Sequence, residues 1–364
     1  MTTAPDDIPR AIRETKAELR ERIGDYAGAF ARAEAAVRAE VAEVVAQRER
    51  GEQVWPVVQF ADIAAGTVPA DLVEAVRRRG CAVVKGTFGR DRAEGWDAEL
   101  VSYLDRNDFA GKYRYLDDGV FGGLAASKPS IFPIYWSRPQ MEAREDESMA
   151  AVRGFLNSFW KNESEGRVWF DPTRDTAYPD RVRRRAPGAS SSGLSAHTDS
   201  GSVERWLLPA YQNVFRHVFN GDPGAYDPWD GAYRTEVHEF ESTVMCSAFR
   251  TFQGWTALSD MAPTEGVLHV VPIPAVEPGD TVWWHGDMIH SVGSVTDQQG
   301  WGNVMYIPAS PYCEKNAAYA EQCGEAFVAG RSPGDFAAED YEVTWTGRPG
   351  TADLSDTGRR QLGL

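Results

Sequence analysis

The first fifty residues carry apolar side chains at helical spacing. Between about Ile8 and Arg50 the chain is rich in Ala, Glu and Arg, and its only glycines are Gly24 and Gly28. This pattern predicts one or two amphipathic helices, with a break possible near Gly24–Gly28. The helices would either pack as a layer on the core or form a dimerisation arm, and the pattern leaves both alternatives open.

The next part of the chain alternates between helical and strand patterns. Helices are predicted at Pro69–Arg78, Asp91–Asn107 and Asp146–Lys161, and a buried strand at Gly80–Gly86. The segment Lys112–Ser137 is rich in Gly and Pro and is predicted to be a loop. This part is therefore expected to place helices around at least one strand of the core.

From Ser190 onwards the pattern changes to short apolar segments separated by Pro and Gly. A helix at Leu207–Asn220 and a turn at Tyr226–Asp230 interrupt this region. The predicted strands are Ser195–Asp199, Ser242–Asp260, Gly266–Val271, Asp280–His285, His290–Val295 and Asn303–Ile307. Short strands at this spacing are typical of a jelly roll.

The predicted fold class is mainly β with flanking α, with a double-stranded β-helix (jelly-roll, cupin-like) core surrounded by helices. Residues 1–53 are predicted to form an N-terminal helical segment. Residues 54–364 are predicted to form the β domain, with helical insertions and a C-terminal tail that begins helically. Nothing in the sequence marks a clean linker between the two parts.

Composition and charge exclude several classes of function. The chain has 364 residues and a net charge of −16, which argues against a broad nucleic-acid surface. No apolar run approaches the roughly 20 residues that span a bilayer, and no signal-like segment opens the chain, so a cytoplasmic protein is expected. The basic cluster Arg181–Arg185 is more typical of a solvated loop than of a binding patch, although it could attract an anionic substrate.

Three residues form a candidate metal site. His197 and Asp199 are two positions apart, so on a β-strand their side chains project from the same face. With His290 as a distant third ligand, they have the layout of the two-histidine, one-carboxylate facial triad of non-haem Fe(II). The alternative interpretation makes Asp199 a helix N-cap and His197 an ordinary core histidine.

Several motifs after the His-x-Asp pair extend this interpretation. They are Trp255-x-Ala-Leu-x-Asp260, Glu265-Gly-x-Leu-x-Val-x-Pro272 and Pro278-Gly-Asp followed by His290. In this order they resemble the core of the Fe(II)/2-oxoglutarate-dependent dioxygenases, the phytanoyl-CoA dioxygenase-like (clavaminate synthase-like) branch most of all. Segments 202–206, 249–255 and 306–311 make the chain more closely similar to the family known as domain of unknown function 1479.

The resemblance implies an oxygenase with a specific set of ligands. It implies Fe(II) held by His197, Asp199 and His290, 2-oxoglutarate chelated through its keto and C1 carboxylate oxygens, and O2 at the remaining position. It also implies oxidation, most simply hydroxylation, of a small organic molecule, for which the composition weakly favours an anionic or zwitterionic compound. The presence of Asp199 argues against halogenation, because the iron halogenases of this fold lack that carboxylate.

One expected feature is missing from the pattern. The resembled enzymes hold the C5 carboxylate of 2-oxoglutarate with an arginine about ten residues after the distal histidine, but here that position falls in Gly300–Asn303. A buried carboxylate needs a charge-assisted partner. Arg250, expected on a strand, is the first candidate and Arg205 the second, although either could be a structural ion-pair arginine. Asn303 and Tyr306 are predicted to line the same pocket.

A rival interpretation is a cupin-type divalent-metal protein without redox turnover, such as a hydrolase, an isomerase or a sensor. The triad fits both interpretations, and an arginine directed at the metal would favour the oxygenase. The other histidines are given structural roles: His285 near the metal site or in the core, His217 and His269 in the core, and His238 at the surface.

Overall fold

The structure is a computed structural model that describes residues 3–114, 131–199, 201, 203–240, 247–265, 268–269 and 274–364. The helices are α1 (Ile8–Ile23), α2 (Tyr26–Glu49), α3 (Phe60–Ala65), α4 (Ala70–Arg79), α5 (Arg90–Arg106), α6 (Phe109–Lys112), α7 (Arg138–Glu145), α8 (Glu147–Asn157), α9 (Val203–Leu207), α10 (Pro209–Val214), α11 (Arg216–Phe219), α12 (Glu314–Ala329) and α13 (Asp356–Gln361). Within these ranges, none of the helices is both long and apolar enough to cross a bilayer.

The strands are short and come from all parts of the chain after the first two helices. They are β1 (Val57–Gln59), β2 (Cys81–Lys85), β3 (Ile131–Phe132), β4 (Glu163–Ser164), β5 (Arg167–Val168), β6 (Asp171–Asp175), β7 (Val182–Arg183), β8 (Leu194–His197), β9 (Phe252–Ala257), β10 (Leu268–His269), β11 (Thr281–His285), β12 (His290–Val292), β13 (Val304–Tyr306) and β14 (Pro311–Tyr312).

Two sheets form the centre of the protein. Among the described residues, seven strands pair in the order β1-β2-β11-β9-β13-β7-β3, and three pair in the order β10-β12-β8. The larger sheet is mixed, because β1 and β2 are parallel whereas its other pairings are antiparallel. The prediction of a β core with helices around it is therefore confirmed in part, because the structure has a mixed sheet with helices.

The larger sheet is buried on both faces. Alternate residues of its strands, such as Ala82, Trp283 and Met305, pack against helices α5 and α8 in an outer cluster. The opposite face forms an interior cluster that also includes Leu268 of the smaller sheet, so the two sheets share it. The members of the interior cluster are Trp55, Cys81, Val83, Trp255, Ala257, Met261, Leu268, Val276, Val282, Trp284 and Val304.

The two N-terminal helices pack on the body of the protein. The break between them lies at Gly24–Asp25, as predicted, and Gly24 has a positive φ of 68°. Arg22 donates a hydrogen bond to the Phe219 carbonyl, and Arg78 of α4 pairs with Glu40 of α2. These contacts agree with the first of the two alternatives, in which the N-terminal helices pack as a layer on the core. The dimerisation arm stays a prediction, and so does the domain boundary at residue 53.

The predicted helix at Leu207–Asn220 is wrong as a continuous element. The structure has three short helices there, α9, α10 and α11, and the first break falls at Leu208. Leu208 precedes Pro209 and is extended, with φ −93° and ψ 126°. A proline ring clashes with a helical residue before it, so the Leu-Pro step ends one helix and starts the next.

Most of the other predicted elements are confirmed with shifted ends. The helices at Pro69–Arg78, Asp91–Asn107 and Asp146–Lys161 correspond to α4, α5 and α8, and the strand at Gly80–Gly86 to β2. The tail is predicted to begin helically at Ala317, but its helix begins earlier, at Glu314, because the Cys313 side chain caps it by accepting from the Asn316 amide. Parts of three other expectations lie outside the described residues, namely 115–130 of the loop, 242–246 of one strand, and 266–267 and 270–271 of another, whose described residues form β10.

Candidate metal centre

The register of the smaller sheet places the two histidines side by side. β8 ends at His197 and β12 begins at His290, and the two residues are antiparallel partners. Directly opposed residues in an antiparallel pair project from the same face of a sheet. The ring centroids of His197 and His290 are accordingly only 4.3 Å apart.

Each histidine is oriented by a backbone carbonyl two residues before it. Nδ1 of His197 lies 2.7 Å from the Ser195 carbonyl oxygen, and Nδ1 of His290 lies 3.0 Å from that of Met288. A carbonyl can only accept, so each Nδ1 carries a proton, and the neutral form of each ring has its lone pair at Nε2. This tautomer is the one in which Nε2 can bind a metal.

Asp199 completes the group from outside the strand. The expectation that His197 and Asp199 share one strand is wrong, because β8 ends at His197 and Asp199 follows in a bend. Its two oxygens nevertheless lie 3.5 Å from His197 Nε2 and 3.3 Å from His290 Nε2. Ligand atoms of all three residues lie within 4.8 Å of one another, which a single metal ion could bridge.

The electrostatics of the group also suit a cation. Burial by itself disfavours the ionised carboxylate of Asp199, but the hydrogen bonds that both histidines donate from Nε2 when protonated, together with the charge of Arg250, hold its pKa well below the usual range. The hydrogen bond to Asp199 in turn raises the pKa of His197. Two imidazoles and one carboxylate form a donor set that fits Fe(II) and leaves coordination positions for other ligands.

Trp284 orients the carboxylate of Asp199 by a hydrogen bond. Its indole N–H donates to Asp199 Oδ2 at 3.0 Å, and its ring lies 5.3 Å from that of His290. Composition and motif do not separate Trp284 from its buried neighbour Trp283, and the sequence predicts mainly a packing role for both. The signal that could separate them is alternation along β11, because Val282 and Trp284 face the interior cluster whereas Trp283 faces the outer one.

We expect Trp284→Phe to weaken metal binding roughly ten- to a hundred-fold, because the carboxylate loses the hydrogen bond that orients it. Equilibrium dialysis of Fe(II) under anaerobic conditions measures this. Trp283→Phe is the matched control, since the Trp283 N–H donates to Thr281 and its ring faces the outer cluster. Equal loss of affinity in both variants would show that Trp284 acts only through packing.

His285 is a buried structural histidine near the site, in agreement with the sequence interpretation. It stacks on Trp160 with ring centroids 4.6 Å apart, Nε2 donates to the Pro228 carbonyl, and Nδ1 accepts from the Asp287 amide. An imidazole that both donates and accepts is neutral. Burial lowers its pKa to about 4.

His285 therefore makes stability depend on pH. Its folded pKa lies below the ordinary value of 6.5, so the unfolded chain binds the extra proton and stability falls as the pH drops from about 6.5 to 4. Over this whole pH window, protonation of the unfolded chain at His285 lowers the free energy of unfolding by about 3 kcal/mol. We expect urea unfolding of His285→Gln to show a flatter pH dependence over this window, while exposed His238→Ala changes the slope far less. Parallel profiles for wild type and His285→Gln would contradict this.

Arg250 lies at the edge of a pocket beside the metal centre. It precedes β9 in a loop, so the expectation that it lies on a strand is wrong. Its Nη1 donates to Gln253, which is paired with Trp284 across the sheet, and its guanidinium stacks 4.4 Å from the Tyr178 ring. The pocket has about 470 Å³ of empty space.

The same pocket carries several charged side chains. Arg234, Arg250, Lys315 and Glu239 line it together with aromatic residues that include Trp160 and Tyr211. Tyr211 also packs against the chain beyond Asp199, because a Cβ at Gly201 would lie 2.6 Å from the Tyr211 hydroxyl. One wall of the pocket therefore lies against the chain two residues beyond Asp199.

Arg205 lies beside this pocket in an ion-pair cluster. Its Nη2 donates to Asp287 Oδ1 at 2.9 Å, and the second oxygen of Asp287 accepts from Arg234 at 2.7 Å. The guanidinium of Arg205 also lies 4.9 Å from the Phe215 ring. These contacts agree with the alternative in which Arg205 is a structural arginine that forms an ion pair, here with Asp287.

Asn303 and Tyr306 project from opposite sides of the larger sheet. The Asn303 amide nitrogen donates to Asp97 of α5, on the outer side. Tyr306 packs against the interior cluster and is the cross-strand partner of Trp255. The expectation that these two side chains line one pocket is therefore not supported by their directions, and only Tyr306 lies on the face that continues to Trp284.

The remaining histidines differ in burial. His217 lies partly buried in α11, and His238 is exposed as expected. The side chain of His269 lies outside the described part of the chain, so its expected core position stays a prediction.

The fold and the site together define a class of protein: a mixed sheet with helices around it and a candidate metal centre of two histidines and one carboxylate. The Gig2-like family model matches residues 6–275 and 270–364, and the chain belongs to this family. The sequence resemblance to domain of unknown function 1479 is thereby confirmed, because the solved Gig2 structure carries that designation.

Three relatives show how far this similarity extends. YbiU of Escherichia coli strain K12 is 49% identical, over 100% of this chain and 98% of the relative. A proposed oxidoreductase of Salmonella typhimurium LT2 has a structure with a TM-score of 0.96 and 47% identity, covering 100% and 99% of the two chains. The Gig2 protein of Candida albicans has a TM-score of 0.81 and 24% identity, covering 100% and 91%.

Proposed function

We propose that the protein is a non-haem Fe(II)- and 2-oxoglutarate-dependent oxygenase that oxidises, most simply hydroxylates, a small organic molecule. The observation that carries the proposal is the group formed by His197, Asp199 and His290, with both Nε2 atoms directed at the carboxylate. These three residues would hold the metal from one side, which would leave coordination positions for a 2-oxo acid and O2.

The strand order supports the same proposal. Reading β7-β13-β9-β11 in the larger sheet against β8-β12-β10 in the smaller one gives two antiparallel sheets whose successive strands alternate between them. Alternation of this kind is expected of a double-stranded β-helix, in which a small barrel holds a ligand between its sheets, and it supports that part of the proposal. The two histidines lie at the end of β8 and the start of β12, at one rim of that core.

The chain's own residues would perform three tasks in such a reaction. Bound Fe(II) would supply the redox chemistry that couples decarboxylation of the 2-oxo acid to oxidation of the substrate. The Ser195 and Met288 carbonyls keep protons on the two Nδ1 atoms, so that both histidines bind as neutral ligands. The hydrogen bond from Trp284 holds Asp199 in place, and the interior cluster excludes water behind it.

The pocket at the rim supports a small charged substrate. Lys315 and Glu239 are both buried and pair at 3.1 Å, so their charges offset each other. The lining also contains Arg234 and Arg250. Asp287 neutralises Arg234, so the net charge of the pocket remains positive. A pocket with cations, one carboxylate and aromatic walls fits an anionic or zwitterionic molecule.

The rival proposal, a cupin-type metal protein without redox turnover, shares the metal site but needs no 2-oxo acid. Anaerobic addition of Fe(II) and then 2-oxoglutarate to the apo-protein distinguishes the two. We expect a weak visible metal-to-ligand charge-transfer band that saturates with 2-oxoglutarate, followed by release of succinate when O2 and substrate are supplied. Tight Fe(II) binding without such a band would favour the rival.

A further inference from the structure

A buried arginine on β7 faces the space between the two sheets. Arg183 is only 7% exposed, and its strand neighbour Val182 belongs to the outer cluster. Because successive strand residues point to opposite faces, the Arg183 side chain projects into the interior. Its Nη2 lies 3.8 Å from the sulfur of Met261, a member of the interior cluster.

Arg183 differs from Arg181 and Arg184 in its ion pairs with the described carboxylates. Arg181 pairs with Asp180 and Arg184 with Asp97, whereas no described carboxylate forms an ion pair with Arg183. Within the described part of the chain, Arg183 Nε has no hydrogen-bond partner either. An arginine keeps its charge at any ordinary pH, and a buried charge is costly unless it is paired. This arrangement points to a missing anion.

A second polar group lies close by with unused hydrogen-bonding capacity. Gln298 is 1% exposed, and neither its Oε1 nor its Nε2 has a partner among the described residues. A Cβ at Gly302 would lie 3.6 Å from both Gln298 Nε2 and Arg185 Cβ. Both distances are ordinary van der Waals contacts, so Arg185 and Gln298 both lie beside Gly302.

Arg185 adds a second positive charge to this region. It is 3% exposed, its backbone pairs with Gly302, and its Nη1 lies 3.5 Å from the Glu265 carbonyl oxygen. Burial and the charge of Arg183 lower its pKa to about 10. The Glu265 carboxylate itself accepts from the Ala262 and Gly300 amides. Two like charges buried together are stabilised when an anion binds between them.

The region opens onto the same interior as the metal centre. Arg183 is the cross-strand partner of Val304, and Val304 in turn pairs with Ala257. Val304 and Ala257 belong to the interior cluster with Trp284, whose indole donates to Asp199. A molecule that reaches from the metal centre into the space between the sheets therefore approaches Arg183.

We propose that Arg183 binds the distal carboxylate of the dicarboxylate co-substrate, with Arg185 and Gln298 bordering the same site. The inference rests on the proposed function, because the other end of the dicarboxylate must be held by the metal. It reassigns Arg250, the first candidate from the sequence, to the rim pocket, where its guanidinium lies on Tyr178 and bonds to Gln253. The guanidinium of Arg183 offers a carboxylate the planar pair of N–H donors that suits it.

The test compares two 2-oxo acids that differ in the distal carboxylate. Fe(II)-loaded protein is titrated anaerobically with 2-oxoglutarate and with 2-oxovalerate, and the charge-transfer band reports binding of each. We expect the wild type to prefer 2-oxoglutarate, and Arg183→Met to weaken 2-oxoglutarate binding on the order of a hundred-fold while barely changing that of 2-oxovalerate. Arg183→Lys should fall in between, since it keeps the charge without the fork.

Arg184→Met is the matched control, because Arg184 follows Arg183 in the chain but pairs with Asp97 on the outer side, and it should keep the wild-type preference between the two acids. Arg250→Met tests the first candidate from the sequence, and we expect it to keep the preference as well. Fe(II) affinity and the unfolding transition of each variant, measured in the same preparations, show whether Arg183→Met remains folded and loaded. Loss of the preference in Arg250→Met but not in Arg183→Met or Arg183→Lys overturns the assignment and leaves the oxygenase standing. A loaded wild type that gives no band with either acid overturns the proposed function and the inference with it.

Discussion

Replacing either histidine of the triad by alanine is expected to abolish tight Fe(II) binding. His197→Ala and His290→Ala each leave one imidazole and one carboxylate, which no longer form the facial set that fits Fe(II). The loss should reach several orders of magnitude in affinity, since even residues that only orient the ligands are worth roughly ten- to a hundred-fold. Iron content after anaerobic loading and dialysis measures it directly.

The control for this experiment is His238→Ala, which removes an exposed histidine from the same protein. Binding should also weaken as the pH falls, because protons compete for His197, whose pKa is raised by its hydrogen bond to Asp199. Asp199 stays ionised over the same range, because its pKa is held low. Unchanged iron content in both triad variants would rule out this site.

The triad can be predicted from the sequence because its signals are short and local. The spacing of His197 and Asp199 and the order of the motifs up to His290 are enough to indicate three ligands. The way in which the ligands converge is predicted only in part. Asp199 lies beyond the end of its strand, and the pairing of β8 with β12 brings His290 to the site. Cross-strand register depends on the whole sheet and cannot be read from one segment.

Arg183 cannot be singled out from the sequence, because its surroundings there are uniform. The cluster Arg181–Arg185 has the composition of a solvated loop, and β7 is only two residues long, too short to show alternation. In the structure Arg184 points outward to Asp97, whereas Arg183 points inward towards Met261. Which arginine is buried is decided by the pairing of β7 with β13, a contact between distant parts of the chain.

Two other differences between prediction and structure have local causes. The Leu208-Pro209 step marks a helix boundary, because proline restricts the residue before it. The apolar residues around Arg250 predict a strand, yet β9 begins at Phe252 and leaves Arg250 in the preceding loop. Along β9, Trp255 and Ala257 face the interior cluster and Phe252 faces the outer one, so a strand extended back to Arg250 would point its side chain outward. The loop places it in the rim pocket instead.

The largest expected effect on stability comes from Asp287, which holds the ion-pair cluster beside the rim pocket. Its carboxylate accepts from Arg205, Arg234 and the Tyr226 hydroxyl, at 2.9, 2.7 and 2.8 Å. Burial alone would raise the pKa of Asp287, but the charges of Arg234 and Arg205 outweigh it and hold the pKa well below the usual range. Both oxygens therefore accept hydrogen bonds from charged or hydroxyl donors.

We expect Asp287→Ala to lower the free energy of unfolding by about 3–5 kcal/mol, because it leaves two largely buried guanidinium groups without their shared anion. Asp287→Asn should cost less than Asp287→Ala, since it keeps the shape and one acceptor oxygen. The control is Asp356→Ala, which breaks an exposed pair with Arg359 and should cost at most about 1 kcal/mol. Urea unfolding at neutral pH gives all three values.

The pH dependence provides an independent check on the same group. A carboxylate whose folded pKa is depressed contributes stability above its unfolded pKa and loses that contribution as the pH falls through the folded value. The difference in stability between wild type and Asp287→Ala should therefore be constant near neutral pH and shrink below about pH 4. If Asp287→Ala lowers the free energy of unfolding no more than Asp356→Ala does, Arg205 and Arg234 do not depend on Asp287 for stabilisation. Arg205 would then return as a candidate for binding an anion at the rim.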